Sequence, residues 1–198
     1  MSDEDVPKKV HPVQALAVAL VGQFAFIGVA LFIHDVTEVD LVGALGFVPL
    51  DLLWGLLGAT ALIGLALMLR RALPGVSRDL DKLIDDMLNQ AGLSLTPLTI
   101  LILSAAAGFA EELLFRGALQ GWLMGHLPVA AAIALPTLLF AALHLYSVTY
   151  MLIILPVGLA LGLLYWATGS LWGVIIAHTL YDVFAFSFAR WRHSRVGK

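Results

Sequence analysis

Glu111 and Glu112 are adjacent in the segment LSAAAGFAEELLFRG, and Arg116 follows Glu112 by four residues. On a helix, neighbours point about 100° apart, whereas residues at i and i+4 share a face. An intrahelical Glu112–Arg116 pair lowers the cost of both charges in a low-dielectric setting. Glu111 is then left without a sequence-local partner, as suits a general base. The expected division gives structure to Glu112 and Arg116 and chemistry to Glu111. A purely structural cluster of two acids and one arginine fits the same spacing. Further on, LLFAALHLYS places His144 one helical turn after Phe140. In IIAHTLYDVF, His178 and Asp182 stand at i and i+4. A carboxylate there can accept from one imidazole nitrogen and fix the tautomer. The same pair could instead hold helices together as polar glue. Glu111, His144 and His178 have the composition of a two-His, one-carboxylate site. Such a site could hold a divalent metal such as zinc, or activate water directly. The chain has no H-E-x-x-H, G-x-S-x-G, P-loop or dinucleotide fingerprint.

These groups sit in an extremely apolar chain. Of its 198 residues, 61% are apolar and 13% are charged, and the mean hydropathy is +0.95. Soluble domains average about 45–50% apolar and about 25% charged. Disorder, fibrous repeats and an ordinary soluble domain are therefore excluded. A net charge of −3 argues against a nucleic-acid partner. The absence of cysteine excludes disulfides, thiolate metal sites and a cysteine nucleophile.

A membrane-spanning helix needs roughly 20 apolar residues. Apolar runs at 12–33, 42–69, 97 to beyond 116, 128–145, 148–167 and 170–189 predict six. The first is too long for a signal-peptide core and is expected to be retained. Between the second and third, Leu80, Leu83, Ile84, Met87, Leu88 and Ala91 form one stripe. Asp79, Asp81, Lys82, Asp85 and Asp86 lie off it. This predicts an amphipathic surface helix over 77–92. The expected fold is an all-α, polytopic membrane helix bundle of about six transmembrane helices plus that surface helix. It divides into a polar tail at 1–11, two spans and the amphipathic helix at 12–96, a four-span core at 97–189 and a basic tail at 190–198.

With the N-terminus inside, ten of the eleven Lys and Arg residues fall on the cytoplasmic side. The positive-inside rule favours this arrangement, with both termini cytoplasmic in a multi-pass cell-membrane protein. The eleventh basic residue, Arg116, lies inside a span. Ionisable groups within spans default to a functional hypothesis; here they are Glu111, Glu112, Arg116, His144, His178 and Asp182. Asp51 is close to a span end and reads as interfacial. Pro136 and Pro156 are expected to kink their spans. Gly117/Gly121, Gly121/Gly125, Gly158/Gly162 and Gly169/Gly173 form small-xxx-small pairs suited to close helix approach, though glycine is common in membrane helices. One strain remains. At about 1.5 Å per residue, His144 lies about 24 Å beyond residue 128, but His178 only about 12 Å beyond residue 170. Kinking or tilt must bring them level.

The ordered set Glu111-Glu112-Leu-Leu-Phe-Arg116, Phe140-x-x-x-His144 and His178-x-x-x-Asp182 resembles the CPBP family of intramembrane proteases, the CAAX prenyl endopeptidase or bacteriocin-processing (Abi) family. The resemblance implies an all-helical membrane fold. It also implies hydrolysis of a peptide bond in a membrane-associated, in some members prenylated, substrate. By that resemblance Glu111 and His144 polarise the attacking water, and His178 with the last motif residue steadies the oxyanion. Glu112, Arg116 and Phe140 support them. An ionised Asp182 cannot donate a hydrogen bond, which favours its orienting His178. The rival is a non-catalytic membrane protein, either a bacteriocin-immunity scaffold or a proton-coupled transporter. The two halves of the chain show no internal repeat, which weighs against transport.

Overall fold

The computed structural model describes residues 12–92 and 94–196. The expected polar tail at 1–11, with Lys8 and Lys9, lies outside the described residues, as do Leu93, Gly197 and Lys198. The described residues form helices and turns without strands. In order they are α1 (Pro12–Val36), α2 (Leu41–Ala44), α3 (Pro49–Ala72), α4 (Pro74–Ala91), α5 (Pro97–Glu112), a π-helical segment (Leu113–Gln120), α6 (Gly121–Met124), α7 (Val129–Leu143), α8 (Val148–Thr168) and α9 (Leu171–Val196). Proline opens α3, α4 and α5, where a missing N–H costs nothing. Thr96 and Ser147 cap α5 and α8 by accepting from Thr99 and Tyr150 N–H.

Among the described residues five helices are long and apolar enough to cross a membrane: α1, α3, the continuous Pro97–Met124 rod, α8 and α9. The expected fourth span, 128–145, is corrected to the 15-residue α7. At about 1.5 Å per residue it is roughly 22 Å long, less than the hydrocarbon core. It stops because His144 takes a capping conformation at φ −94° and ψ 20°. Pro136 and Pro156 lie inside α7 and α8, and both helices continue through them. The sixth span does not end at Ala189; α9 runs on to Val196. Large apolar side chains face outward all around the bundle. Phe24, Phe32, Leu139, Leu152 and Trp166 are all half exposed or more. In water that surface would aggregate, whereas in lipid it is solvated.

The core forms where α5 and the π segment pack against α1, α7, α8 and α9, with α3 on the far side of α9. Asp51, near the start of α3, is buried within the protein, at 5% exposure. Its Oδ2 accepts from Val48 N–H at 2.7 Å. Its Oδ1 accepts from the Ser170 hydroxyl. One carboxylate thus caps α3 and ties it to the start of α9.

At the opposite end α4 is held by ions. Leu80, Leu83, Ile84, Met87 and Leu88 of its stripe are half-buried, but two of the off-stripe acids are employed. Arg70 at the end of α3 grips Asp81 with two hydrogen bonds of 2.9 and 2.8 Å. Arg192 near the end of α9 grips Asp85 with two of 2.8 and 2.9 Å. Paired, planar guanidinium–carboxylate contacts are the strong kind. Arg192→Ala should lower stability by ~1 kcal/mol, more at low ionic strength than at high, and speed proteolysis within α4. Thermal unfolding and limited proteolysis in micelles would measure both. Unchanged melting and cleavage at low ionic strength would contradict the clamp.

Candidate active site

The polar groups of the third span depend on a close approach between α5 and α9. A Cβ at Gly108 would lie 3.0 Å from Thr179 N and 3.1 Å from Ile175 O. Only glycine lets the backbones meet so closely. Glu112 is one turn after Gly108, and His178 is next to Thr179, so this contact sets the two side chains level. The His178 Nδ1 lies 2.7 Å from Glu112 Oε1. The same oxygen accepts from Arg116 Nη1 at 2.7 Å. Glu112 is 0% exposed and Arg116 1%. One carboxylate therefore serves both the ion pair within the helix and the imidazole of another helix.

Immediately after Glu112 the chain widens into the π segment. Such segments are rare and recur at functional sites. From it Arg116 Nη2 donates to Gly158 O at 2.7 Å. One turn on, Gln120 Nε2 donates to Gly162 O at 2.8 Å. The two donors thus match two glycines one turn apart on α8. A Cβ at Gly158 would sit 3.1 Å from the Phe140 ring, and one at Gly162 3.2 Å from Gln120 Oε1. Of the four glycine pairs in the sequence, Gly158/Gly162 is the one that bares carbonyls to this segment. Gly169, by contrast, ends α8 in the left-handed region at φ +65°, where glycine is favoured.

The expected orientation of His178 is corrected. Its tautomer-fixing acceptor is Glu112, not Asp182. Asp182 Oδ2 lies 3.6 Å from Nε2, beyond hydrogen-bond length. The i, i+4 spacing does bring Asp182 to the ring, but to the other nitrogen and on its more exposed side. Spacing along α9 could not reveal that a carboxylate from α5 was nearer.

Phe140 joins the two histidines. Its ring centroid is 4.7 Å from that of His144 and 6.0 Å from that of His178. The Arg116 guanidinium lies over the same ring at 4.8 Å, a cation–π contact. The Phe140 ring thus brings His144, the C-cap of α7, beside His178 despite their unequal distances from their helix starts. The Nδ1 of His144 lies 2.8 Å from Phe140 O. With Nδ1–H donating to that carbonyl, Nε2 is left free as an acceptor.

Glu111 is 7% exposed. Its Oε1 accepts from Gln23 Nε2 of α1 at 3.1 Å. Gln23 was not singled out by sequence reasoning. The available signal was an amide in the middle of an apolar span. Gly108 and the π segment escaped as well, because neither has a local signature. Glu111 is near enough to His178 and Asp182 for their charges to interact. Among the described residues no group of three His, Asp or Glu side chains could hold a metal ion. The expected divalent-metal site at Glu111, His144 and His178 is not among such groups.

The two glutamates should respond differently to substitution. Glu112→Gln leaves Arg116 buried without its counter-charge, at an expected cost of about 3–5 kcal/mol. Glu111→Gln keeps the shape and the amide neighbour, and should leave the melting temperature nearly unchanged. Equal melting temperatures for the two variants in micelles would contradict this assignment.

Residues 93–184 match the family model described as type II CAAX prenyl endopeptidase Rce1-like. The uncharacterized protein YpbD of Bacillus subtilis (strain 168) is 36% identical over 102 residues. That alignment covers 50% of this chain and 50% of YpbD. The chain thus spans about half the length of the curated relative it matches. No solved structure matches it. Residues 93–184, which carry the whole constellation from Glu111 to Asp182, are thus similar to the Rce1-like type II CAAX prenyl endopeptidases.

Proposed function

We propose that this protein is an intramembrane endopeptidase that cleaves a peptide bond in a membrane-associated substrate with a water activated by Glu111. The observation that carries the proposal is the asymmetry of the glutamate pair. Glu112 is committed to Arg116 and His178. Glu111 is buried, and among the described residues its one hydrogen-bond donor is a neutral amide, Gln23. A carboxylate so placed has lone pairs free to take a proton from water. The family match supports a CAAX-type protease chemistry.

In the proposed reaction a water lies between Glu111 and the free Nε2 of His144. Glu111 takes one of its protons as the oxygen adds to the substrate carbonyl. His178, fixed by Glu112, faces the oxygen on which negative charge develops. The tetrahedral intermediate then expels the amine, which takes the proton back from Glu111. Both carboxyl and amine products leave, and Glu111 is again ionised. Groups held in place before reaction stabilise the developing charge most effectively, because nothing has to reorganise. The apolar flanks suit a substrate peptide that arrives through lipid, including one bearing a prenyl chain.

Cleavage of a membrane peptide library by purified protein in vesicles tests the proposal. Glu111→Gln should lose at least about 10²-fold in turnover, the usual share of general-base catalysis. No cleavage by the wild type, or equal cleavage by Glu111→Gln, would overturn it in favour of a scaffold.

We further propose that both termini are cytoplasmic. The ends of α3 and α9 share one face through α4, because Arg70 and Arg192 bind the same short helix. That face gathers the basic residues. The cysteine-free chain permits single-cysteine labelling at positions 38 and 194. Opposite sides should label; labelling of both from one side would reject this topology.

A further inference from the structure

A tetrahedral intermediate needs a donor for its oxyanion, and an ionised Asp182 can only accept. Glu112 and Glu111 can only accept for the same reason. Arg116 can donate, but it is 1% exposed: its Nη atoms are spent on Glu112 and Gly158, and its Nε is buried out of reach of the cavity side. Beside His178, the site offers an uncommitted phenol donor next to His144, that of Tyr150. Its ring stands edge-to-face to the His144 imidazole, with centroids 6.1 Å apart. It is near enough to Glu111 and Asp182 for their charges to act on it. Among the described residues its hydroxyl makes no hydrogen bond, although the side chain is half-buried. Its backbone is fixed in the first turn of α8 by the 3.1 Å bond from its N–H to the Ser147 hydroxyl. The three-residue turn 145–147 ties that helix start directly to His144 at the end of α7.

We propose that the Tyr150 hydroxyl is a catalytic residue that donates a hydrogen bond to the oxyanion of the tetrahedral intermediate, supplying the donor that the carboxylate at position 182 cannot. This rests on the hydrolase function proposed above. The phenol stays neutral throughout and no bond to it is made or broken. Water adds to the carbonyl, Glu111 holds the proton, and the oxygen that was the carbonyl accepts from Tyr150 until the amine leaves. The phenol is well suited to the task. It has two side-chain torsions, and its ring is held by packing, so little ordering is left for the moment of reaction. The start of α8 adds the positive end of a helix dipole on the same side.

Tyr150→Phe removes the hydroxyl and keeps the ring against His144, so the fold and the imidazole position should persist. In the vesicle assay its kcat should fall about 10²-fold or more, the effect of losing one oxyanion donor. KM and the melting temperature should stay near wild type. Tyr146→Phe, which removes a phenol from an exposed position on the adjoining turn, should leave kcat unchanged. A kcat for Tyr150→Phe within about threefold of wild type would overturn the inference alone, provided Glu111→Gln is inactive, since a lost donor costs far more. A raised KM with unchanged kcat would also overturn it, by making Tyr150 a binding residue. Absence of cleavage by the wild type would overturn the hydrolase function and this inference together.

Discussion

The Glu112 carboxylate, fully buried and shared by Arg116 and His178, is the constraint on which the centre of this bundle depends. An unpaired charge in so apolar an interior costs several kcal/mol, so it persists only where donors are built around it. Meeting that demand takes three helices. Arg116 comes from the same rod and reaches on to a carbonyl of α8. His178 comes from α9, which must approach closely enough that only glycine fits at position 108. Each neighbour meets the same oxygen, Glu112 Oε1, and in doing so fixes its own position. The rigidity of the site and the tolerability of the charge have one cause.

The same arrangement separates two adjacent carboxylates into different roles. Glu112 and Glu111 are one residue apart, yet they face different helices. Glu112 meets cations or donors on α9 and within its own rod. Glu111 meets α1, where a single amide donates to it. Phe140 then brings in the short α7 by offering one ring to Arg116, His144 and His178. An aromatic face is an economical junction here, because it accepts a cation without adding another charge to be buried.

Away from the centre the two ends are closed differently. Asp51 and Ser170 tie α3 to the start of α9 through a buried carboxylate that is also a helix cap. At the other end, exposed enough for water to share the cost, α4 is fastened by guanidinium pairs from α3 and α9. Buried ends use neutral donors and backbone N–H groups, whereas the wet end uses full ions. That follows the steep dependence of charge desolvation on depth.

The sequence alone determined that the chain is a membrane helix bundle, because composition and run length answer directly to the bilayer. It determined the amphipathic α4 from a 3.6-residue stripe. It also marked Glu111, Glu112, Arg116, His144, His178 and Asp182, since ionisable residues in apolar runs stand out without any knowledge of their partners. The i, i+4 step foresaw the Glu112–Arg116 contact, which a single helix is enough to create. What it could not contain was any relation between helices. That Glu112 rather than Asp182 holds the inner nitrogen of His178 depends on the Gly108–Thr179 contact. That one Phe140 ring meets both His144 and His178 depends on how α7 packs into the bundle. That Gln23 attends Glu111, and that Tyr150 stands beside His144, depends on which faces of α1 and α8 turn inward. Periodicity assigns a residue to a face of its own helix, but only packing decides what that face meets.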